Sequence, residues 1–241
     1  MSVKFGKVFF FTIFVFFSCV SVFAGEYKAS LAQMPVYAES TDKGVLVDLT
    51  KAIEKASGET ISIKVMPFAS SVYMAQKGKV DFHMPLIKND TISEDKLPFM
   101  YSNETIFHVN FVLYTKKGSD VTLDNLSSKK VETDRAHVNY FPFDIKPTNS
   151  IAKSLEKVES GAIDAFIFAD FATDPFLKQS GSKDIQRSLY KVFESKIVLP
   201  KTQRGKDVDK MLTTAIEKLR KSKELEKIMH NIDLPYDNWQ P

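Results

Sequence analysis

The sequence contains almost no cysteine and little glycine. Its one cysteine, Cys19, lies in an N-terminal apolar run, so a chain that loses this run has no thiol and must rely on its packed core for stability. Only nine glycines occur, and GxSxG, HExxH, CxxC and glycine-rich phosphate-binding patterns are all missing. These absences argue against nucleotide cradles and common hydrolase sites. We therefore expect no enzymatic activity, no cofactor and no metal.

A strong charge of one sign is missing as well. The 33 basic and 30 acidic residues give a formal net charge of +3, with the two signs mixed along the chain. Nucleic-acid-binding proteins carry basic patches, so we expect no nucleic acid partner. Apolar residues make up 44% of the 241 residues, which is enough to build the core of one large domain or of two small ones.

The N-terminus is typical of a secretory signal peptide. Lys4 and Lys7 precede the apolar run VFFFTIFVFF, and Val22 and Ala24 occupy the positions before a signal peptidase site. We predict cleavage after Ala24 and a periplasmic mature chain. Two alternatives remain open: an uncleaved membrane anchor, for which the run is short, and a lipoprotein modified at Cys19.

Strand and helix signals alternate along the rest of the chain. Alternating or continuous apolar runs predict strands at 26–32, 60–66, 80–86, 129–134 and 163–169. Apolar stripes at helical spacing predict helices at 45–58, 68–78 and 149–161. Such alternation is typical of parallel sheets with crossover helices, so we predict an α/β fold of two small lobes, each built on a mainly parallel sheet.

Two stretches share one pattern, GKVDFHMPLIK at 78–88 and SGAIDAFIFAD at 160–170. Each consists of a helix-ending glycine, a tight turn and a buried strand that we expect to end near a ligand cleft. Asp81 and Asp164 occupy equivalent positions in the two stretches. We interpret them as hydrogen-bonding partners of local backbone and not as paired catalytic carboxylates.

Two long segments, 105–117 and 188–201, are predicted to cross between the lobes as extended strands. A final helix over 205–231 is expected to pack on the first lobe. The predicted organisation is therefore a signal peptide at 1–24, a first lobe at 25–108 and 196–241, and a second lobe at 109–195.

The order of these segments resembles a known family. The stretch from KGVLVDL through GKVDFHM, followed by LYTKKGSD, DNLSSKKV, SGAIDAF and IVLPKTQRGKDVDKML, is similar to the family 3 extracellular solute-binding proteins over most of residues 27–230. The resemblance implies a type II periplasmic binding fold, a monomer, and a small polar ligand in a cleft between the lobes. It also implies an inner-membrane ABC permease as partner. A ligand sensor for a signalling system stays open as an alternative, as does an enzyme on the same fold, such as a dehydratase or a lytic transglycosylase-like protein.

The resemblance also assigns candidate ligand-binding residues. Phe68, which opens the second helix, corresponds to an aromatic wall that stacks on the ligand, and the loop from Met84 to Lys88 supplies polar contacts. The turn that contains Arg135 and His137 corresponds to the donors of the second lobe. Asp170 is the nearest match to the acid that holds an α-ammonium group.

The sequence departs from the family at the carboxylate clamp, because the segment 89–102 contains no arginine. Bidentate capture of a carboxylate needs a guanidinium group, so we expect a ligand other than a standard α-amino acid. Arg135 and Lys88 are the candidate replacements, unless they are solvated surface cations.

Three further side chains are assigned with alternatives left open. Tyr37 and Tyr140 are candidate cleft aromatics, for which partial core burial is the other interpretation. His83, like His137, is expected near the cleft, where a packing role is the alternative. The two histidines do not have metal-ligand spacing.

Overall fold

The computed structural model describes residues 25–241, so the predicted signal peptide and Cys19 lie outside the described residues. The strands are β1 (Glu26–Ala32), β2 (Thr60–Met66), β3 (Phe82–Ile87), β4 (Met100–Lys116), β5 (Val131–Asp134), β6 (Lys146–Thr148), β7 (Ala165–Ala169) and β8 (Ile185–Leu199). The helices are α1 (Val45–Ser57), α2 (Phe68–Gln76), α3 (Ile151–Ser160), α4 (Asp170–Ser180), α5 (Gln203–Lys221) and α6 (Glu224–Met229). Short 3-10 helices cover Glu94–Lys96, Leu123–Ser128 and Arg135–Tyr140.

All eight strands form one sheet in the order β2-β1-β3-β8-β4-β7-β5-β6. At one end β2, β1 and β3 are parallel, and at the other end β7, β5 and β6 are parallel. Between them lie the long strands β4 and β8, which run antiparallel to each other. Strand β8 is also antiparallel to its neighbour β3, and β4 is antiparallel to its neighbour β7. The predicted fold class, two α/β lobes joined by two crossover strands, is confirmed.

The repeated sequence pattern builds the same turn in both lobes. Gly78 and Gly161 adopt positive φ angles of 62° and 76°, a conformation that glycine reaches without strain. The Asp81 carboxylate then accepts a hydrogen bond of 2.8 Å from the Lys28 backbone N–H, and Asp164 accepts one of 2.6 Å from Lys130. The prediction that these two carboxylates bind local backbone is confirmed.

Several predicted bounds differ from the structure. The strand predicted at 80–86 is β3, Phe82–Ile87, which continues past Pro85 with an irregularity in its pairing with β8 between His83 and Leu86. The predicted helix 205–231 is two helices, α5 and α6, separated where Lys223 takes a left-handed conformation. Helix α4 was missed, since Pro175 lies inside it and prolines usually break helices.

Helices cover the sheet and complete the cores. In the first lobe α1 packs against α5 with buried side chains such as Leu49, Ile53 and Leu212. In the second lobe α3 and α4 bury Leu155, Val158 and Leu177 against β4 and β7. Within residues 25–241, no helix combines the length and the apolar character needed to span a membrane.

Candidate functional site

A cavity of about 420 Å3 lies where the two lobes face each other. The first lobe contributes the loop after β1, the start of α2, the end of β3 and parts of β4 and β8. The second lobe contributes β4, the turn after β5, the end of β7 and the start of α4. The residues that line this interlobe cavity are Met34, Tyr37, Phe68, Pro85, Leu86, Ile87, Phe107, Val109, Phe111, Ala136, His137, Phe168, Ala169, Phe171, Ala172 and Ser195.

One face of β4 supplies the middle of the cavity wall. Phe107, Val109 and Phe111 alternate along the strand and therefore point to the same face of the sheet. The Phe111 ring lies 5.6 Å from that of Phe168 and 4.7 Å from that of Phe193, both in edge-to-face arrangements. This alternation is the sequence signal from which the segment 105–117 was predicted to be an extended strand, although its residues were not predicted to line the cavity.

Aromatic rings from both lobes meet at one side of the cavity. Tyr37 in the first lobe lies 5.7 Å from Phe107 and also 5.7 Å from Phe171 in the second lobe, measured between ring centroids. Burial, and to a lesser extent the charge of Asp170, raises the pKa of the Tyr37 hydroxyl well above its ordinary range. Tyr37 is therefore a neutral, mostly buried wall residue.

A buried histidine, His83, packs against the wall residue Phe68. His83 is fully buried, and its Nε2 lies 3.1 Å from the carbonyl oxygen of Pro85, which can only accept a hydrogen bond. Nε2 therefore carries the proton, and Nδ1 accepts a hydrogen bond of 2.7 Å from the Ser71 hydroxyl. Burial lowers the pKa of His83 to about 4, so the ring is neutral. The Phe68 ring lies 5.8 Å from the imidazole, almost at right angles to it.

Hydrogen bonds join the lobes on another side. Asn89 Nδ2 and the Thr91 hydroxyl donate to the backbone carbonyl of Asn139, over 3.0 and 2.6 Å. The Tyr140 hydroxyl donates to the Ile87 carbonyl over 3.2 Å. We call these three bonds the loop contact. Asn89 and Thr91, the first-lobe donors of this contact, lie at the start of the segment 89–102, in which the family's arginine was expected. This segment therefore contacts the second lobe directly.

Three of the predicted ligand-binding residues line the cavity, namely Tyr37, Phe68 and His137. His137 lies between the rings of Phe111 and Phe168, and its Nδ1 is 3.0 Å from the Asp134 carboxylate. That hydrogen bond is the main cause of a lowered pKa of Asp134. The open question about His83 is decided in favour of a packing and hydrogen-bonding role.

The other predicted residues lie elsewhere. Met84 is fully buried in the core, and Tyr140 belongs to the loop contact. Lys88 lies 3.9 Å from the carboxylate of Asp90. Arg135 is exposed, donates through Nε to Asn149 over 2.8 Å within its own lobe, and is not among the residues that line the interlobe cavity.

Asp170 opens onto a second cavity of about 610 Å3, which the C-terminal tail, residues 232–241, helps to enclose. Its carboxylate accepts hydrogen bonds from Asn110 and from the backbone N–H of Phe171. Burial nevertheless raises its pKa. The acid expected to hold a ligand ammonium thus belongs to the wall between helix α4 and the tail.

The tail connects the two lobes along the same side. Asp233 accepts from the His108 backbone N–H over 2.9 Å, and the Leu234 carbonyl accepts from Asn110 over 3.1 Å. Further along, the carbonyls of Asp237 and Trp239 accept from Arg187 of the second lobe. No role was predicted for this tail, which was expected to belong to the first lobe.

Arg187 is the centre of a buried network. Its guanidinium group donates to both carboxylate oxygens of Asp174 over 2.9 and 2.6 Å, and the Tyr114 hydroxyl donates to the same carboxylate over 2.7 Å. The guanidinium carbon lies 4.5 Å from the centre of the Trp239 ring. This charge pair holds the tail in place and is not part of the wall of the interlobe cavity. Across residues 25–241, no three metal-ligating side chains come together.

A cavity between two α/β lobes that are joined by crossing strands defines the class of two-lobed ligand-binding proteins. The profile of the bacterial extracellular solute-binding proteins, family 3, matches residues 28–231. The chain belongs to this family. No curated protein matches it.

Solved structures of this class resemble the chain in fold at low sequence identity. A histidine kinase sensor domain with similarity to periplasmic binding proteins is 15% identical, with a TM-score of 0.61, over 86% of this chain and 96% of that one. The ligand-binding core of GluR0 from Nostoc punctiforme, solved with L-glutamate, is 14% identical, with a TM-score of 0.61, over 86% and 100%. The arginine-, lysine-, histidine-binding protein ArtJ from Geobacillus stearothermophilus is 18% identical, with a TM-score of 0.58, over 90% and 96%.

Proposed function

We propose that this chain is a periplasmic receptor that captures a small molecule in the interlobe cavity and delivers it to an inner-membrane ABC permease. The observation that carries the proposal is the cavity itself, whose wall is built from both lobes. A ligand held between two lobes is enclosed when a hinge closes around it. The family's description as extracellular solute-binding proteins supports the location and the binding role.

The hinge in this proposal lies in β4 and β8. The first lobe comprises 25–108 and 196–241 and the second lobe 109–195, as predicted from the sequence. The end of the tail contacts the second lobe through Arg187. Pairing supports these limits, because β4 first pairs with β7 at Phe111 and β8 pairs with β3 from Ser195 onward. The receptor acts as a monomer and binds its ligand without catalysis.

The ligand in this proposal is not a standard α-amino acid. No arginine lies in 89–102 to hold an α-carboxylate, and Arg135 points to Asn149 instead. A carboxylate buried without a paired cation costs several kcal/mol. The walls of the cavity therefore disfavour the zwitterion that every amino acid carries.

A ligand sensor for a signalling system is the second candidate. It is favoured by the likeness to the histidine kinase sensor domain over 86% of this chain. Uptake of a labelled ligand by cells that lack this gene separates the two roles. Loss of uptake supports the importer, whereas unchanged uptake with a lost transcriptional response supports the sensor.

The binding proposal is tested by a thermal-shift screen over amino acids, carboxylates, amines, sugars and neutral aromatic compounds. A ligand at a hundred times its Kd adds roughly 2.7 kcal/mol of stability. The hit is then measured by calorimetry and by small-angle scattering, where we expect a more compact protein. Ala136→Trp fills the cavity and should abolish binding, whereas Ala162→Trp, exposed in the turn after α3, should leave it unchanged. Equal binding by both variants would contradict the proposed site.

A further inference from the structure

Acidic side chains, lysines and arginines are absent from the described wall of the interlobe cavity, which does contain His137. Charged side chains around the cavity are engaged with other residues. Arg135 bonds to Asn149, and Lys88 lies near Asp90. Asp170 bonds to Asn110, and Asp134 bonds to His137. A charged ligand group that enters this cavity loses its water without gaining an opposite charge, which is strongly unfavourable.

Aromatic rings, by contrast, surround the cavity on several sides. Phe68 and Tyr37 come from the first lobe, Phe168 and Phe171 from the second, and Phe107 and Phe111 from the strand that joins them. Phe68 is 38% exposed and Phe171 is 48% exposed, which is unusual for side chains of this size. Aromatic walls favour a flat apolar ring, since offset stacking and edge-to-face contacts add to the burial of apolar surface.

Few polar side chains interrupt this wall. The Ser195 hydroxyl is buried and forms no hydrogen bond with any residue in 25–241. His137 uses Nδ1 for Asp134, and its Nε2 forms no hydrogen bond within the same part of the chain. Buried polar groups are normally satisfied. Four buried hydroxyls within residues 25–241 have no partner, and of these only that of Ser195 belongs to the cavity lining, which makes it the candidate partner of a ligand atom.

We infer that the interlobe cavity takes an uncharged aromatic molecule, such as a one- or two-ring compound with one hydrogen-bonding group, in place of the charged amino acids bound by some proteins of this fold. This inference rests on the proposed receptor function and specifies its ligand class. The aromatic walls hold the ring, and Ser195 meets the polar atom.

A matched series of probes tests the ligand class by calorimetry at neutral pH. Indole is neutral, indole-3-acetate carries a negative charge and tryptamine a positive one, while the ring system stays the same. We expect indole to bind with a Kd below about 1 mM and both charged probes to bind at least about tenfold more weakly. Ser195→Ala should weaken indole binding about three- to tenfold, and Ser188→Ala, exposed on the same strand, should not change it.

Three results would overturn the inference. They are the absence of indole binding up to about ten times the expected Kd, tighter binding of either charged probe, and an unchanged indole affinity in Ser195→Ala. A charged probe could bind and compact the protein, and its binding could be abolished by Ala136→Trp. That result would support the receptor function and contradict only the proposed ligand class. If indole binds equally well to Ala136→Trp, the proposed site itself is wrong.

Discussion

Replacing Arg187 by alanine tests the network that fixes the C-terminal tail to the second lobe. The Arg187 side chain is 1% exposed and that of Asp174 is 12% exposed, so the substitution leaves a carboxylate buried without its cation. Breaking a buried pair in this way costs about 3–5 kcal/mol. At roughly 2–4 °C per kcal/mol for a chain of this size, we expect the Tm to fall by about 6–20 °C.

Trp239 makes this prediction specific to the tail. It is the only tryptophan of the chain, and its ring packs on Arg187, so its fluorescence reports whether the tail is bound. Urea unfolding followed by Trp239 emission and by far-UV circular dichroism should give one transition in the unmodified protein. In Arg187→Ala, the emission should already be that of a solvated tryptophan before the dichroism changes.

Two further variants separate charge from packing. Arg187→Met combined with Asp174→Asn removes both charges and should recover most of the lost stability, although the tail stays released. Arg204→Ala is the matched control, because Arg204 also pairs with a carboxylate and covers an aromatic ring, yet its side chain is 51% exposed. We expect it to cost less than about 1 kcal/mol. A loss in Arg187→Ala no larger than in this control would refute the reasoning.

Two other predictions concern pH and export. Because burial lowers the pKa of His83 from 6.5 to about 4, the unfolded chain takes up a proton that the folded chain does not. The unfolding free energy should fall by roughly 2–4 kcal/mol between pH 6.5 and 4 on account of His83. The His83→Gln variant should lack this part of the slope, and equal slopes in urea titrations of both proteins would contradict the assignment. Mass spectrometry of the exported protein should show a chain that begins at Gly25. A membrane-bound chain that keeps residues 1–24, or acylation of Cys19, would exclude that cleavage site.

The fold could be predicted because its signals are local. The strands β1 and β2 were predicted with the bounds that the structure has, from alternating and β-branched residues. The repeated glycine and aspartate of the two lobes predicted the same turn twice. Helix α4 was not predicted. The packing of its buried residues Asp174 and Leu177 overrides the unfavourable Pro175, and such packing cannot be inferred from a short stretch of sequence.

The site could be predicted only in part. The family resemblance implied that Phe68 lies at the cleft, and in the structure Phe68 opens α2 and lines the cavity. The absence of arginine from residues 89–102 could be read directly from the sequence. The direction of the Arg135 side chain could not be predicted, since it depends on one hydrogen bond to Asn149. Contacts such as Arg187 with Trp239 join residues 52 positions apart and depend on the completed fold.

The loop contact also affects how tightly any ligand is held. In the proposed hinge motion, opening the lobes breaks the bonds donated by Asn89, Thr91 and Tyr140, each worth about 0.5–1.5 kcal/mol in water. These bonds set the fraction of molecules that are already closed before a ligand arrives. The apparent Kd of a ligand that needs the closed form equals its intrinsic Kd divided by that fraction. Residues that never touch the ligand thus share in determining its affinity, and a change in the loop contact adjusts the working concentration range without altering the cavity.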